Sequence, residues 1–124
     1  MRQDRGTAMI ELALILPILV MLLVGVVQFG QAYSAQVSIT GAAREGARTL
    51  ALGGTSTAVT NAVNQAKGSA SVVSITQTAC PSGTTGTSTA VATVVVHANF
   101  AFGIPFVPLG TRTFSASASM RCGL

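Results

Sequence analysis

Hydrophobic positions along this chain change their spacing twice. From residue 7 to residue 27 they are almost continuous, TAMIELALILPILVMLLVGVV, broken only by the charge of Glu11 and by Pro17. About 20 apolar residues rising roughly 1.5 Å each suffice to cross a bilayer as a helix. Pro17 removes one backbone hydrogen bond and is expected to bend that helix without ending it. Beyond residue 27 polar residues return, yet helical spacing persists. Ala32, Ala35, Ile39, Ala42 or Ala43, Gly46 and Leu50 recur every three or four positions, forming one narrow face of mostly small side chains. Another body can come close to the helix axis along such a face. Gly53-Gly54 then supplies a stop. The pattern predicts one helix of about 45 residues, roughly 65 Å long, of which only the first 30 Å or so suits lipid. Residues 7–27 form its transmembrane part, and residues 28–53 stand outside as a spine.

After the double glycine, TSTAVTNAVNQAKG reads as a short second helix. Thr55 or Ser56 can cap it, Ala58, Val59, Ala62, Val63 and Ala66 form its apolar side, and Lys67-Gly68 closes it. The period then falls from near 3.6 to 2. SVVSITQT suits a strand; TAVATVVVHANFAF puts Ala92, Val94, Val96, Ala98 and Phe100 on one face; TFSASASMRC does the same with Phe114, Ala116, Ala118 and Met120. The intervening residues 80–88 read as a loose polar loop and residues 103–110 as a tight turn, so an antiparallel meander is the simplest order. Three strands with one apolar face need a cover, and the spine together with the short helix provides it. The expected fold is α+β: a long N-terminal membrane helix running into a spine, a short helix, and a small three-stranded antiparallel sheet packed on the spine. Residues 54–124 make up the small domain.

Composition agrees with a membrane-anchored chain. Of 124 residues 8% are charged and 49% hydrophobic, with a mean hydropathy of +0.62, and the length allows one small domain beyond the anchor. The pI near 10.1 reflects scarce acids more than abundant bases. Seven Lys and Arg are spread thinly, with no basic stripe interleaved with aromatics, so nucleic acid is not an expected partner. Catalytic side chains are equally thin. Asp4, Glu11, Glu45 and the sole imidazole, His97, supply neither a Ser/His/Asp triad nor a three-ligand metal site, so no enzyme activity, cofactor or metal is expected. His97 shares the polar side of its strand with Thr93 and Asn99 and reads as part of a solvated face.

Arg2 and Arg5 precede the apolar run, whereas Gln28, Gln31 and Ser34 follow it. The positive-inside rule therefore puts the N-terminus in the cytoplasm and the rest of the chain outside. A cleaved secretory signal is the competing reading, with a permissive site at Ala32-Tyr33-Ser34. The apolar run is long for that purpose, however, and no change of composition follows it.

Cys80 and Cys122 are the two cysteines. In an up-down-up meander both come to the same end of the sheet, and an oxidising location outside the membrane favours a disulfide. They flank the middle strand, so bridging requires the loop to fold over it, because Cα atoms more than about 7 Å apart cannot be joined.

Glu11 poses the remaining question. An ionised side chain near mid-membrane costs about 2.5–3.5 kcal/mol on insertion scales, which makes it by default a functional candidate. Position alone leaves a second reading open: near the start of the run, Glu11 can snorkel to the headgroups and complement the helix macrodipole.

Three stretches, RGTAMIELALILP, VVQFGQAY and AAREGARTLA, occur in an order and spacing that resembles the N-terminal signature of the TadE-like minor pseudopilins of Tad (Flp) pilus systems, which are type IVb pili. The likeness is strong over about residues 5–51; the sheet region agrees in general pattern only. It implies that a prepilin peptidase cuts after Gly6, releasing residues 1–6 as a leader and making Thr7 the new N-terminus, with Glu11 at mature position five. Thr7 and Glu11 are one helical turn apart, so ammonium and carboxylate share a face. By analogy with the wider type IV pilins, Glu11 of one subunit would pair with the Thr7 amine of its neighbour. Two departures accompany the match: Leu12 stands where relatives often carry an aromatic residue, and mature position one is Thr where many type IV pilins have Phe. Removing Arg2, Asp4 and Arg5 lowers the side-chain charge from +4 to +3 and takes away much of the topology signal, so cleavage is expected to follow insertion.

The implied role is assembly. Lipid gives helices little hydrophobic reason to associate, so close contact and polar pairing must hold them, with Gly25, Gly30 and Glu11 as the expected contact residues. Partners would be the prepilin peptidase, other pilins or minor pseudopilins, the Tad assembly platform and the cytoplasmic membrane. The rival reading is a single-pass anchored module whose β-domain binds a surface ligand and has no part in assembly. An uncut N-terminus, or one starting near Ala35, would favour it.

Overall fold

The structure, a computed structural model, describes residues 2–82, 89–104 and 107–123, with side chains from residue 5 onward. Two helices precede three strands: α1 (Arg2–Ala51), α2 (Ser56–Ala66), β1 (Ser71–Thr78), β2 (Val91–Ile104) and β3 (Val107–Arg121). The α+β architecture expected from the hydrophobic spacing is the one formed. At 50 residues α1 is about 75 Å long and runs through both Pro17 and the Gly6–Thr7 bond, so helix begins before the expected start at residue 7.

The end of α1 follows from its glycines. Gly53 takes φ +82°, a conformation that a Cβ would strain. With it the Gly54 N–H reaches the Thr49 carbonyl at 2.9 Å and the Gly53 N–H that of Leu50 at 3.1 Å, which satisfies two of the orphan carbonyls of the last turn. Thr55 then caps α2, its hydroxyl accepting from the Ala58 N–H at 3.2 Å. Gly68, at φ +59°, follows Lys67 and turns the chain into β1.

The sheet is antiparallel in the order β1-β2-β3. Its register sets Ile75 beside Val96 and Val96 beside Ala116. Ala92, Val94, Val96 and Ala98 turn one side of β2 inward, against Ile39, Ala42, Ala43, Ala47 and Leu50 of α1 and Val59 and Val63 of α2. Both Ala42 and Ala43 are buried. The residues 103–110 expected as a tight turn are mostly strand instead: Gly103 pairs with Pro108 and Ile104 with Val107. Glycine and proline there favour a turn, but Pro108 lies beside the register shift between Ala101 and Gly103, where a missing N–H is tolerated. The tip, residues 105–106, and residues 83–88 of the expected polar loop lie outside the described residues.

Cys80 and Cys122 form a disulfide with Cα atoms 5.8 Å apart. Two strand spacings of about 4.8 Å would hold them too far apart for this. Both lie past the ends of their strands, however, and the Cys122 N–H bonds the Ala90 carbonyl at 3.0 Å, so the bridge crosses the start of β2.

Candidate functional site

Most of the helical surface from Met9 to Val27 is bare. Its large apolar side chains, among them Leu14, Ile18 and Leu22, are exposed, and none of the most hydropathic window, of mean hydropathy 2.8, is buried in the chain. A folded domain does not leave an apolar surface of this size to water. By length and composition this helix can cross a membrane.

Beyond residue 27 the same helix is two-sided. One side is committed to the domain through Ile39, Ala43 and Gly46, and Ala32 is buried as well. Gln28 and Gln36 extend that side, their Nε2 atoms donating to the carbonyls of Gly103 and Ser115, each at 3.2 Å. The other side carries Phe29, Tyr33 and Val37, four residues apart and 73%, 66% and 55% exposed. Spacing of four places them in one row on the helix. The i, i+4, i+8 spacing of this row is present in VVQFGQAYSAQV, but an expectation of small-residue contacts gives it no weight. Neither glycine named from the sequence is occupied: a Cβ on Gly25 or Gly30 would meet nothing within 4 Å.

Glu11 is exposed in the apolar segment, one turn past Thr7. Gly6 lies inside α1, so the bond after it is helical. A glycine weakens a helix interior by about 1 kcal/mol relative to alanine, which makes this turn easier to open than its neighbours. His97 sits across from Ser74 and Ser115, on the side where the Thr93 and Ser119 hydroxyls bond at 2.9 Å and the Thr113 hydroxyl donates to Asn99 at 2.8 Å. Among the described residues no three His, Cys, Asp or Glu side chains gather in one place.

What the helix offers is a bare apolar rod with one carboxylate near its entry and the exposed row of Phe29, Tyr33 and Val37 above. Residues 6–48 match the family described as TadE-like protein. The similarity to that family lies in this helix. The match begins at Gly6, spans the apolar segment and Glu11, and ends just short of the close of α1. The TadE-like part is therefore helix, and the sheet lies outside it. No curated protein and no solved structure matches the chain.

Proposed function

We propose that this chain is a minor pseudopilin of a Tad (Flp) pilus or a related secretion apparatus, inserted in the cytoplasmic membrane with its α+β domain outside. It acts through helix packing and not through catalysis. The observation that carries the reading is the bare TadE-like helix, whose opposite face on the spine is already filled by its own domain. In lipid, small residues and polar pairs hold helices together, so Glu11 and Gly25 are the contacts within the bilayer, and Gly30 with Phe29, Tyr33 and Val37 continues the contact above it.

The chemistry of Glu11 follows from processing. Prepilin peptidase cuts after Gly6 and creates an ammonium on Thr7 one turn from the carboxylate. In an assembly the Glu11 of one subunit meets the Thr7 amine of the next, which offsets desolvation and sets the axial register. A subunit lacking either charge would leave the other buried and uncompensated.

Mass spectrometry of the N-terminal peptide from membranes, in cells with and without the peptidase, tests the proposal. The expected result is a terminus at Thr7 only when the peptidase is present. A Met1 terminus in functional assemblies overturns the reading.

A further inference from the structure

Beyond the level of Ser71, where β1 begins opposite Asn99, the β2–β3 hairpin continues alone to Gly103↔Pro108 and Ile104↔Val107. A cleft of about 400 Å³, lined by Gln31, Ser34, Ser71 and Asn99 among others, marks where the sheet narrows from three strands to two. Two amides of α1 fix how far the hairpin descends. Gln36 holds the Ser115 carbonyl and Gln28 the Gly103 carbonyl. Between these points the helix drops about 12 Å, whereas the hairpin advances about 20 Å from the level of the His97↔Ser115 pair. The hairpin thus runs obliquely down α1 and brings its end to Gln28, the first polar residue after the apolar run.

That end is apolar. The sequence FGIPFVPLG holds no charge, and no Lys, Arg, Asp or Glu occurs between Lys67 and Arg112. Val107 and Leu109 are 39% and 45% exposed, Phe102 and Ile104 are half-buried, and Phe102 stands edge-on to Phe100 with ring centres 4.9 Å apart. This apolar end adjoins the bare surface of α1 at the level where the transmembrane segment stops. Exposed Arg112 follows three residues after Leu109.

We propose that the end of the β2–β3 hairpin, with Phe102, Ile104, Val107 and Leu109, is a second membrane contact, seated in the outer-leaflet interface beside the transmembrane helix. The proposal rests on the membrane-inserted reading above. Lipid is the occupant because the patch is continuous with the lipid-facing helix and ends at its depth. Arg112 lies further from the bilayer, within reach of headgroup phosphates. Backbone carbonyls at such a depth need donors, and the Gln28 amide supplies one to Gly103. Two contacts fix the rotation of α1 and the tilt of the domain, so a subunit leaving the bilayer for a fibre must first lift the hairpin.

The chain contains no tryptophan, so a single introduced indole reports its own surroundings. Full-length protein carrying Leu109→Trp, or Val107→Trp as an independent second site, is reconstituted in phosphatidylcholine/phosphatidylglycerol vesicles. Some of the lipid bears a quencher near the top of the acyl chain. Ser117→Trp, on an exposed strand position far from the tip, serves as the aqueous control, and Leu16→Trp, mid-segment, as the control for insertion. The expected result is strong quenching at positions 109 and 107, none at 117, and quenching at 16 by a lipid labelled deep in the chain. Quenching at 16 with none at 109 and 107 overturns the hairpin contact and leaves membrane insertion standing. Under that outcome, protection of positions 109 and 107 from iodide would assign the patch to a second copy of the chain. Loss of quenching at 16 overturns the parent reading instead.

Discussion

Gly46 of α1 lies against Val63 of α2 so closely that a Cβ on the glycine would stand 2.8 Å from Val63 Cγ2 and 3.2 Å from Val94 Cγ1. Helix, helix and sheet meet at this point, and only the missing side chain lets them. Val63 and Val94 are wholly buried, and β-branched side chains have little freedom at χ1, so neither can move aside cheaply.

Gly46→Ala is therefore expected to destabilise the domain. Overpacking costs about 1–3 kcal/mol, against a gain of about 1 kcal/mol from helix propensity. Gly41→Ala provides the contrast, since a Cβ there meets nothing within 4 Å and only the propensity gain remains. Denaturant midpoints of the two variants in detergent should move in opposite directions. A Gly46→Ala protein as stable as the Gly41→Ala one would mean that the three elements do not pack this tightly.

The disulfide joining Cys80 and Cys122 closes a separation of 42 residues across the start of β2. In the chain-entropy model such a crosslink contributes about 4 kcal/mol, a large share of the stability of so small a core. Reductant, or Cys80→Ser with Cys122→Ser, should lower the thermal midpoint of the domain markedly. Intact mass should differ by two hydrogens with and without reductant. Two free thiols in carefully oxidised protein contradict the bond.

If the proposed pairing holds, Glu11→Ala should leave insertion and processing intact and abolish assembly, because a neighbour's Thr7 amine would lose its counter-charge in lipid. Glu11→Gln keeps the shape and a hydrogen-bonding group but not the charge, so it separates an electrostatic lock from simple packing. It is expected to fail as well. The N-terminal mass and the number of fibres per cell check this pair, and normal fibre numbers with Glu11→Ala remove the role assigned to the carboxylate.

Much of the architecture is legible in the sequence. Local physics sufficed for it: an apolar run of 21 residues broken only by Glu11 and Pro17, a switch of period from 3.6 to 2, and a double glycine that ends a helix because only glycine takes φ +82° without strain. The inward-facing sets of β2 and β3 were correct for the same reason, since alternation along a strand puts every second side chain on the same side. The candidate site was legible in part. Glu11 announced itself as a charge among hydrocarbon, but the row of Phe29, Tyr33 and Val37 did not stand out until the domain had covered the other side of α1.

By itself, then, the sequence determined the elements, their inward faces and the TadE-like helix, because each depends on residues within a few positions of one another. Only the tertiary structure decided that Gly46 is the point of closest approach and that Cys80 reaches Cys122 over the end of β2. It also decided that residues 103–104 and 107–108 pair as strand, and that Gln28 brings the hairpin down to the end of the apolar run. Those outcomes join residues 17 to 75 positions apart or follow from such contacts, apart from the local hairpin pairing, where the bulge and the bonded neighbours outweighed the turn preference of glycine and proline.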